Sequence, residues 1–426
     1  MADSLKGFKL VFRALEHRNY RLFLGGQGIS LIGTWMQLIA VSWLVFRLTH
    51  SAFFLGVVGF TSRIPTFIFT PFAGVLVDRW NRHRLLVATQ ILAMIQAFAL
   101  AFLILTGTIQ IWHVIVLSLF LGLINAVDIP VRQALVVDLI ERREDLGNAI
   151  ALNSSMMNGA RLVGPSIAGV LIAMVGEGMC FLLNGASFIA VIAALLAMRM
   201  KPKEKRARET GLWRGLKDGF TYVFGFAPIR SVLLLLALVS LMGMPYTILM
   251  PIFAGKILHG GPQTLGFLFA AVGIGALAGA IFLASRKSVL GLGRIIVIAS
   301  SIFGIGLIGF SLSRVFVISL LLMVPIGFGM MVQMTSSNTI LQTIVEDDKR
   351  GRVMSFYAMA FMGMVPFGSL LAGSLANNIG APLTVMIGGI SCILGSVLFA
   401  RKLPALRVMV RPIYVQKGII TGPPSE

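Results

Sequence analysis

Twelve apolar runs dominate the chain, at roughly 21–46, 52–77, 85–106, 110–130, 150–174, 178–198, 230–255, 263–285, 292–313, 315–339, 353–377 and 382–400. Each is long enough to cross a bilayer as a helix, for which about 20 apolar residues suffice. Inside hydrocarbon every backbone polar group must find its partner within the protein, so a helix is the form such a run takes. The expected fold class is an all-α membrane protein with twelve transmembrane helices. Composition agrees: 57% of the 426 residues are hydrophobic and only 12% are charged, against about a quarter charged in soluble chains. The formal net charge of +20 does not point to nucleic acid, because the positive residues punctuate apolar runs instead of gathering on a soluble domain. Cys180 and Cys392 lie within apolar runs, without metal-ligand spacing, and read as packing residues.

An even number of spans places both termini on one side, and charge says which. Cytoplasmic segments collect Lys and Arg. With the termini inside, most of the 36 Lys and Arg fall on inner segments, and only Arg47, Lys256 and Arg314 fall on the outer ones. Both termini are therefore expected in the cytoplasm. Residues 1–20 have no signal-peptide pattern and read as a short basic segment on the cytoplasmic face. Residues 199–219 are polar and basic, with Pro202 and Gly211 as breakers, and suit a solvated linker. They divide a first six-helix bundle, 21–198, from a second, 220–401. The tail 402–426 contains Pro404, Pro412, Pro423 and Pro424 and is expected to be irregular.

The two halves repeat. Residues 164–176 align with 368–380 at an offset of 204, and Gly164, Ala168, Gly169, Leu171 and Gly176 meet identical residues. Internal repeats on either side of a central linker mark secondary transporters. Between the second and third runs lies a very short loop, Gly74-Val-Leu-Val-Asp-Arg-Trp-Asn-Arg-His-Arg84. It carries one acid, Asp78, and the cations Arg79, Arg82 and Arg84. Gly74 stands one helical turn before Asp78, where a missing side chain permits close helix approach.

On these features the chain resembles the major facilitator superfamily, whose loop motif between spans two and three the 74–84 stretch matches. It departs at Asn81, where a glycine is usual. The second-half counterpart, 285–294, lacks the acid. Residues 160–169 resemble the fifth-span motif of antiporters and exporters, with Gly164, Pro165 and Gly169 in place and Ala160 and Ala168 replacing glycines. The stretches 125–133 and 148–153 are similar to bacterial exporters that include enterobactin and macrolide efflux proteins. The resemblance implies two pseudo-symmetric bundles in a cytoplasmic (inner) membrane, working by alternating access as a monomer. It also implies a gating latch. Asp128 and Arg132, at the inner end of span four, would act with the loop, Asp128 pairing with Arg79. Asp78 would rest near the start of span eleven, where free N–H groups favour an anion. The plainer reading is four solvated charges worth little individually.

Ionisable residues at membrane depth are few, and such residues are costly and functional by default. Arg63 lies 15 residues from Asp78, about 22 Å along a helix. Arg161 lies 14 residues from Gly147, about 21 Å. The two arginines are thus expected at similar depth, either drawing an anionic substrate into a wet cavity or donating to backbone carbonyls. Asp128 is the first choice for proton coupling, because burial raises a carboxylate into a titratable range. By the resemblance, Gln37, Tyr246 and Gln333 lie on cavity-lining spans. No nucleotide-binding, metal or nucleophile motif occurs, so neither enzyme activity nor a cofactor is expected. The function expected is secondary active export of a small organic molecule, siderophore-like or drug-like, by proton antiport. An importer or lipid flippase of the same fold, and a non-transporting receptor or scaffold, remain the alternatives.

Overall fold

The computed structural model describes residues 13–69, 80–200, 220–286, 288–346 and 349–420. Among these, twelve helical spans are long and apolar enough to cross a membrane. They are α1 (Arg18–Thr49), α2 (Ala52–Phe69), α3 (Arg82–Leu105), α4 (Ile111–Asp138), α5 (Arg143–Val175), α6 (Glu177–Leu196), α7 (Ala227–Ile257), α8 (Pro262–Ala284), α9 (Leu292–Leu312), α10 (Phe316–Ile344), α11 (Arg350–Ile379) and α12 (Ala381–Gln416). The all-α, twelve-span expectation holds. Gly74, Asp78, Arg79 and nearly all of the 199–219 linker lie outside the described residues.

The repeat legible in the sequence reappears in the backbone. α5 ends at Gly176 with φ 84° and ψ 171°, and α11 ends at Gly380 with φ 87° and ψ 154°. A side chain resists that positive φ, so glycine recurs at the same place in each half.

The chain divides into two compact units. One comprises Met1–His50, Thr61–Ala207 and Ala254–Ala270; the other comprises Ser51–Phe60, Arg208–Phe253 and Ala271–Glu426. In the first, α8 begins against α5: a Cβ on Gly169 would lie 2.8 Å from the Pro262 carbonyl oxygen and 3.0 Å from the Gly266 Cα. In the second, α2 begins against α11: a Cβ on Gly56 would lie 2.7 Å from the Ser369 carbonyl oxygen and 2.8 Å from the Gly373 Cα. Gly169 and Gly373 are partners at the 204-residue offset, so one backbone-to-backbone crossing is built twice. Small residues at such a crossing replace the hydrophobic drive that lipid cannot supply.

Two features differ from the expected element pattern. The tail is helical to Gln416, through Pro404 and Pro412. Leu406 and Val410, one turn apart, are buried there, and the Lys417 ammonium donates to the Val345 carbonyl at 3.3 Å. Burial along one helix face outweighs the two missing N–H donors. α2, expected as one continuous span, is interrupted: helix runs over Ala52–Thr61, turns at Ser62 and Arg63, and resumes over 64–69. Pro65 has no N–H to return to the preceding turn. In the second unit, α7 and α11 also leave α geometry, with π-helical turns at Val239–Gly243 and Met359–Gly363.

Near the start of the chain, Tyr20, Phe23, Leu86, Leu135 and Leu195 form a buried cluster. The Tyr20 hydroxyl donates to the Ala149 carbonyl at 2.7 Å. Beside it Asp145, fully buried, pairs with Arg13, with His17 at 3.0 Å and with Arg142 at 3.0 Å. This cluster ties the short turn Arg13–Glu16 to the approach to α5.

Candidate transport site

Arg63 occupies the turn that breaks α2. The Thr66 hydroxyl donates to the Gly122 carbonyl of α4 at 3.3 Å, and the helix resumes with Phe67 N–H donating to the Arg63 carbonyl at 3.2 Å. The Arg63 side chain is exposed at this turn. Among the described residues, no acid is paired with Arg63.

Arg161 is placed by the exporter-like motif. It lies four residues before Pro165 within α5, so the N–H that would close on its carbonyl is missing. Gly164 lets α5 press onto α1: a Cβ there would lie 2.6 Å from the Trp35 Cβ and 2.9 Å from the Ile32 carbonyl oxygen. The Arg161 guanidinium sits 5.7 Å from the centroid of that same Trp35 ring, a cation–π arrangement. Gly164 therefore faces α1, while Gly169 and the Pro165 carbonyl lie against α8. Neither Trp35 nor Pro65 was singled out by sequence. The signals were a proline two residues after a mid-span arginine and an aromatic residue on the first span.

Asp128 is buried at 2% exposure and holds three side chains. The Thr89 hydroxyl donates to it at 2.8 Å and the Gln90 amide at 2.6 Å, both from α3. Arg132, one turn along α4, forms an ion pair with it. That burial removes Asp128 from any set of solvated charges. Of the loop residues within the described part, Arg82 pairs with Asp138 at 2.8 Å, and Arg84 is exposed. Asn81 accepts from the Arg84 N–H at 3.1 Å and so caps the start of α3, which explains a polar residue where glycine is usual in the family.

Three residues expected on cavity-lining spans are buried in this structure. Gln37 is 4% exposed. Its amide donates to Gln96 at 2.9 Å and accepts from Asn184 at 2.7 Å, with Gln96 reaching the Leu117 carbonyl at 3.3 Å. It is the hub of a polar chain through α1, α3, α4 and α6. Buried amides must pair, and here the pairs are internal. Tyr246 and Gln333 are each 2% exposed. Tyr246 packs edge-on against Phe303, centroids 6.1 Å apart. Neither side chain presents a face to open space in this structure. The cations Arg47, Lys256 and Arg314 are all held: Arg47 by Glu177 at 2.8 Å, Lys256 by the His50 carbonyl at 3.0 Å, and Arg314 by the Ser311 and Ser313 carbonyls.

Known proteins fit this architecture. The family described as "Transmembrane secretion effector" matches residues 11–411. The chain is 27% identical over 380 residues to the staphyloferrin A transporter of Staphylococcus aureus, covering 89% of this chain and 95% of that one. It is 24% identical over 384 residues to the multidrug efflux pump Tap of Mycolicibacterium fortuitum, covering 88% and 93%. It is 21% identical over 385 residues to macrolide efflux protein A of Streptococcus pyogenes, covering 88% and 94%. Among solved structures, the nucleoside transporter NupG superposes with a TM-score of 0.71 at 13% identity, covering 91% of this chain and 99% of that one. A bacterial homologue of the iron transporter ferroportin gives 0.68 at 17% identity, covering 90% and 98%. At such identities the structures speak for the fold alone. The resemblance drawn from the 74–84 and 160–169 motifs is borne out, and the chain belongs to the transmembrane secretion effector family of the major facilitator superfamily.

Proposed function

We propose that the chain exports a small organic molecule, siderophore-like or drug-like, by alternating access driven by proton antiport. The observation that carries this reading is the arginine-bearing break in α2. Discontinuous spans at membrane depth are tolerated where they are buried or line a wet path, and transporters place substrate sites there. Direction follows from the relatives, whose names describe drug and macrolide efflux. The first relative, a staphyloferrin A transporter, supports a siderophore-like cargo.

In this reading two six-helix bundles, 21–198 and 220–401, take turns opening to either face of the cytoplasmic membrane, both termini stay inside, and one chain suffices. Asp128 carries the coupling proton. Protonation would cancel its charge, release Arg132, and weaken the tie from α4 to Thr89 and Gln90 on α3. In the latch read from the sequence, Asp128 would pair with Arg79 while Asp78 rests near the start of α11; Gly74, Asp78 and Arg79 lie outside the described residues. Cells expressing the chain should hold less drug or siderophore than cells lacking it, and a protonophore should abolish the difference. Higher content would make the chain an importer. Equal content with and without the chain would favour a receptor or scaffold.

A further inference from the structure

We infer that the end of α12, residues 401–416, is an interfacial helix that docks on the headgroups of anionic phospholipids. The inference goes beyond the transport reading and rests on it only for which leaflet is engaged.

α12 is 36 residues long, about 54 Å at 1.5 Å per residue, whereas a hydrocarbon core is only about 30 Å thick. Its apolar run stops at residue 400. Arg401, Lys402, Arg407 and Arg411 follow, and residues 381–425 contain no acid. The extension does not run straight out of the bundle. At its start Leu403 lies against the first turn of α9: a Cβ on Gly293 would be 2.7 Å from the Leu403 Cδ1. At its end Lys417 donates to the Val345 carbonyl, just past α10. α9 and α10 are antiparallel neighbours, with Gly306 against Ile326 and Gly329 against Ala299, so both anchors stand at the same end of the bundle. α10 has 29 residues and α9 has 21, which separates the anchors by about 12 Å along the helix axes. The helix from 403 to 417 is about 21 Å long, so it slants across that end. The face turned to the bundle is apolar, with Leu406 and Val410 buried. On the other side Val408 is 63% exposed and Met409 49%, and Arg401, Lys402, Arg407 and Arg411 are exposed around them. Among the described residues, no acid pairs with any of these four cations. An interfacial helix presents this arrangement: apolar side chains enter the headgroup boundary while Lys and Arg snorkel to phosphate. A basic cluster next to a span selects anionic lipid, and the guanidinium fork matches a phosphate. Phospholipid is the occupant that charge and position favour, because the extension begins where α12 leaves the hydrocarbon.

The test uses the full chain in nanodiscs of phosphatidylcholine, alone or mixed with phosphatidylglycerol. The anionic discs should raise Tm by several degrees. Added salt should shrink the difference, because surface charges are screened over about 8 Å at physiological ionic strength. Arg407→Gln combined with Arg411→Gln should abolish most of the shift, whereas Arg407→Lys with Arg411→Lys should retain most of it. Arg21→Gln, at an exposed cation of α1, should leave it intact; an equal loss there would reduce the effect to net charge and overturn the docking. A nitroxide on Val408→Cys, in a chain carrying Cys180→Ala and Cys392→Ala, should collide more with lipid-dissolved oxygen than with an aqueous nickel chelate. The same Tm in both kinds of disc, or a nitroxide fully open to water, would contradict the proposal. So would an equal rise caused by glycerol 3-phosphate in phosphatidylcholine discs, which would make the face a site for a soluble anion. Two chains per disc, with the nitroxide shielded in either lipid, would assign the face to a second copy and sink the proposal too. If the Gln variants do not fold, the lipid comparison on the native chain and the nitroxide decide. Transport is not read here, so a chain that moved no solute would leave the docking standing. Reaction of Lys402→Cys from outside the cell would change the leaflet and not the lipid.

Discussion

Asp128 and Arg63 represent opposite solutions to a charge inside a membrane protein. Asp128 is saturated by Thr89, Gln90 and Arg132, whereas Arg63 is exposed at the turn that breaks α2. Replacing Asp128 with Asn keeps the shape but leaves Arg132 without its carboxylate. Hydrogen bonds to charged groups contribute about 1.5–3 kcal/mol, so Asp128→Asn should lower Tm and uncouple transport from the pH gradient. Gradient-driven flux in vesicles checks this, and unchanged coupling would remove Asp128 from the mechanism. Trp35→Ala should cost roughly 0.5–2 kcal/mol of cation–π interaction and reduce transport, while Trp35→Phe should recover most of it; initial transport rates at equal expression would show both. At this scale the sequence was partly readable. A lone acid or arginine within an apolar run stands out, so Asp128, Arg63 and Arg161 are conspicuous in the sequence. Gln37, Tyr246 and Gln333 are buried, and a polar residue gives no sign in sequence of which helix face it occupies. Only the neighbours, Gln96 and Asn184 for Gln37, decide that.

The helices divide in the same way between what their sequence announces and what packing imposes. Gly176 and Gly380, partners at the repeat offset, adopt the same backbone at the ends of α5 and α11, so a pattern of identical residues reported geometry faithfully. Gly169 and Gly373 were equally visible, yet their partners, Gly266 and Gly56, share only the dipeptide Leu-Gly, too short a match to announce a crossing. Gly169→Val should clash with the Pro262 carbonyl, overpacking the crossing at a cost of about 1–3 kcal/mol, and Gly373→Val should do the same on α11. Both variants should reach the membrane with a lowered Tm and transport at least several-fold slower; wild-type rates from either would contradict the crossing's role. Prolines were the weakest guide. Pro404 and Pro412 suggested an irregular tail, but Leu406 and Val410 bury one face and the helix continues. Pro65 was overlooked, and it accompanies the turn at Arg63. Pro65→Ala restores an N–H and should let α2 close into a continuous helix, drawing Arg63 back. Higher Tm with lower transport is the expected outcome.

For the molecule as a whole, the bilayer does most of the specifying. It demands helices of a set length, and twelve runs of that length give the fold class before any detail of packing is known. Charge placement adds an orientation, which cysteine labelling of an engineered site near Arg84 or Lys402 would check; reaction with a membrane-impermeant reagent from outside the cell would reverse it. Working motion leaves the faintest trace in sequence, because it depends on differences between conformations rather than on any one set of contacts. The proton-driven export of an organic solute is therefore tested most directly by function in isolation. The purified chain should be placed in inside-out oriented vesicles, their lumen made acidic, and labelled siderophore-like and drug-like solutes followed. The account expects uptake into the lumen that rises with the gradient and collapses with a protonophore. No movement of any solute, or movement indifferent to the gradient, would contradict it.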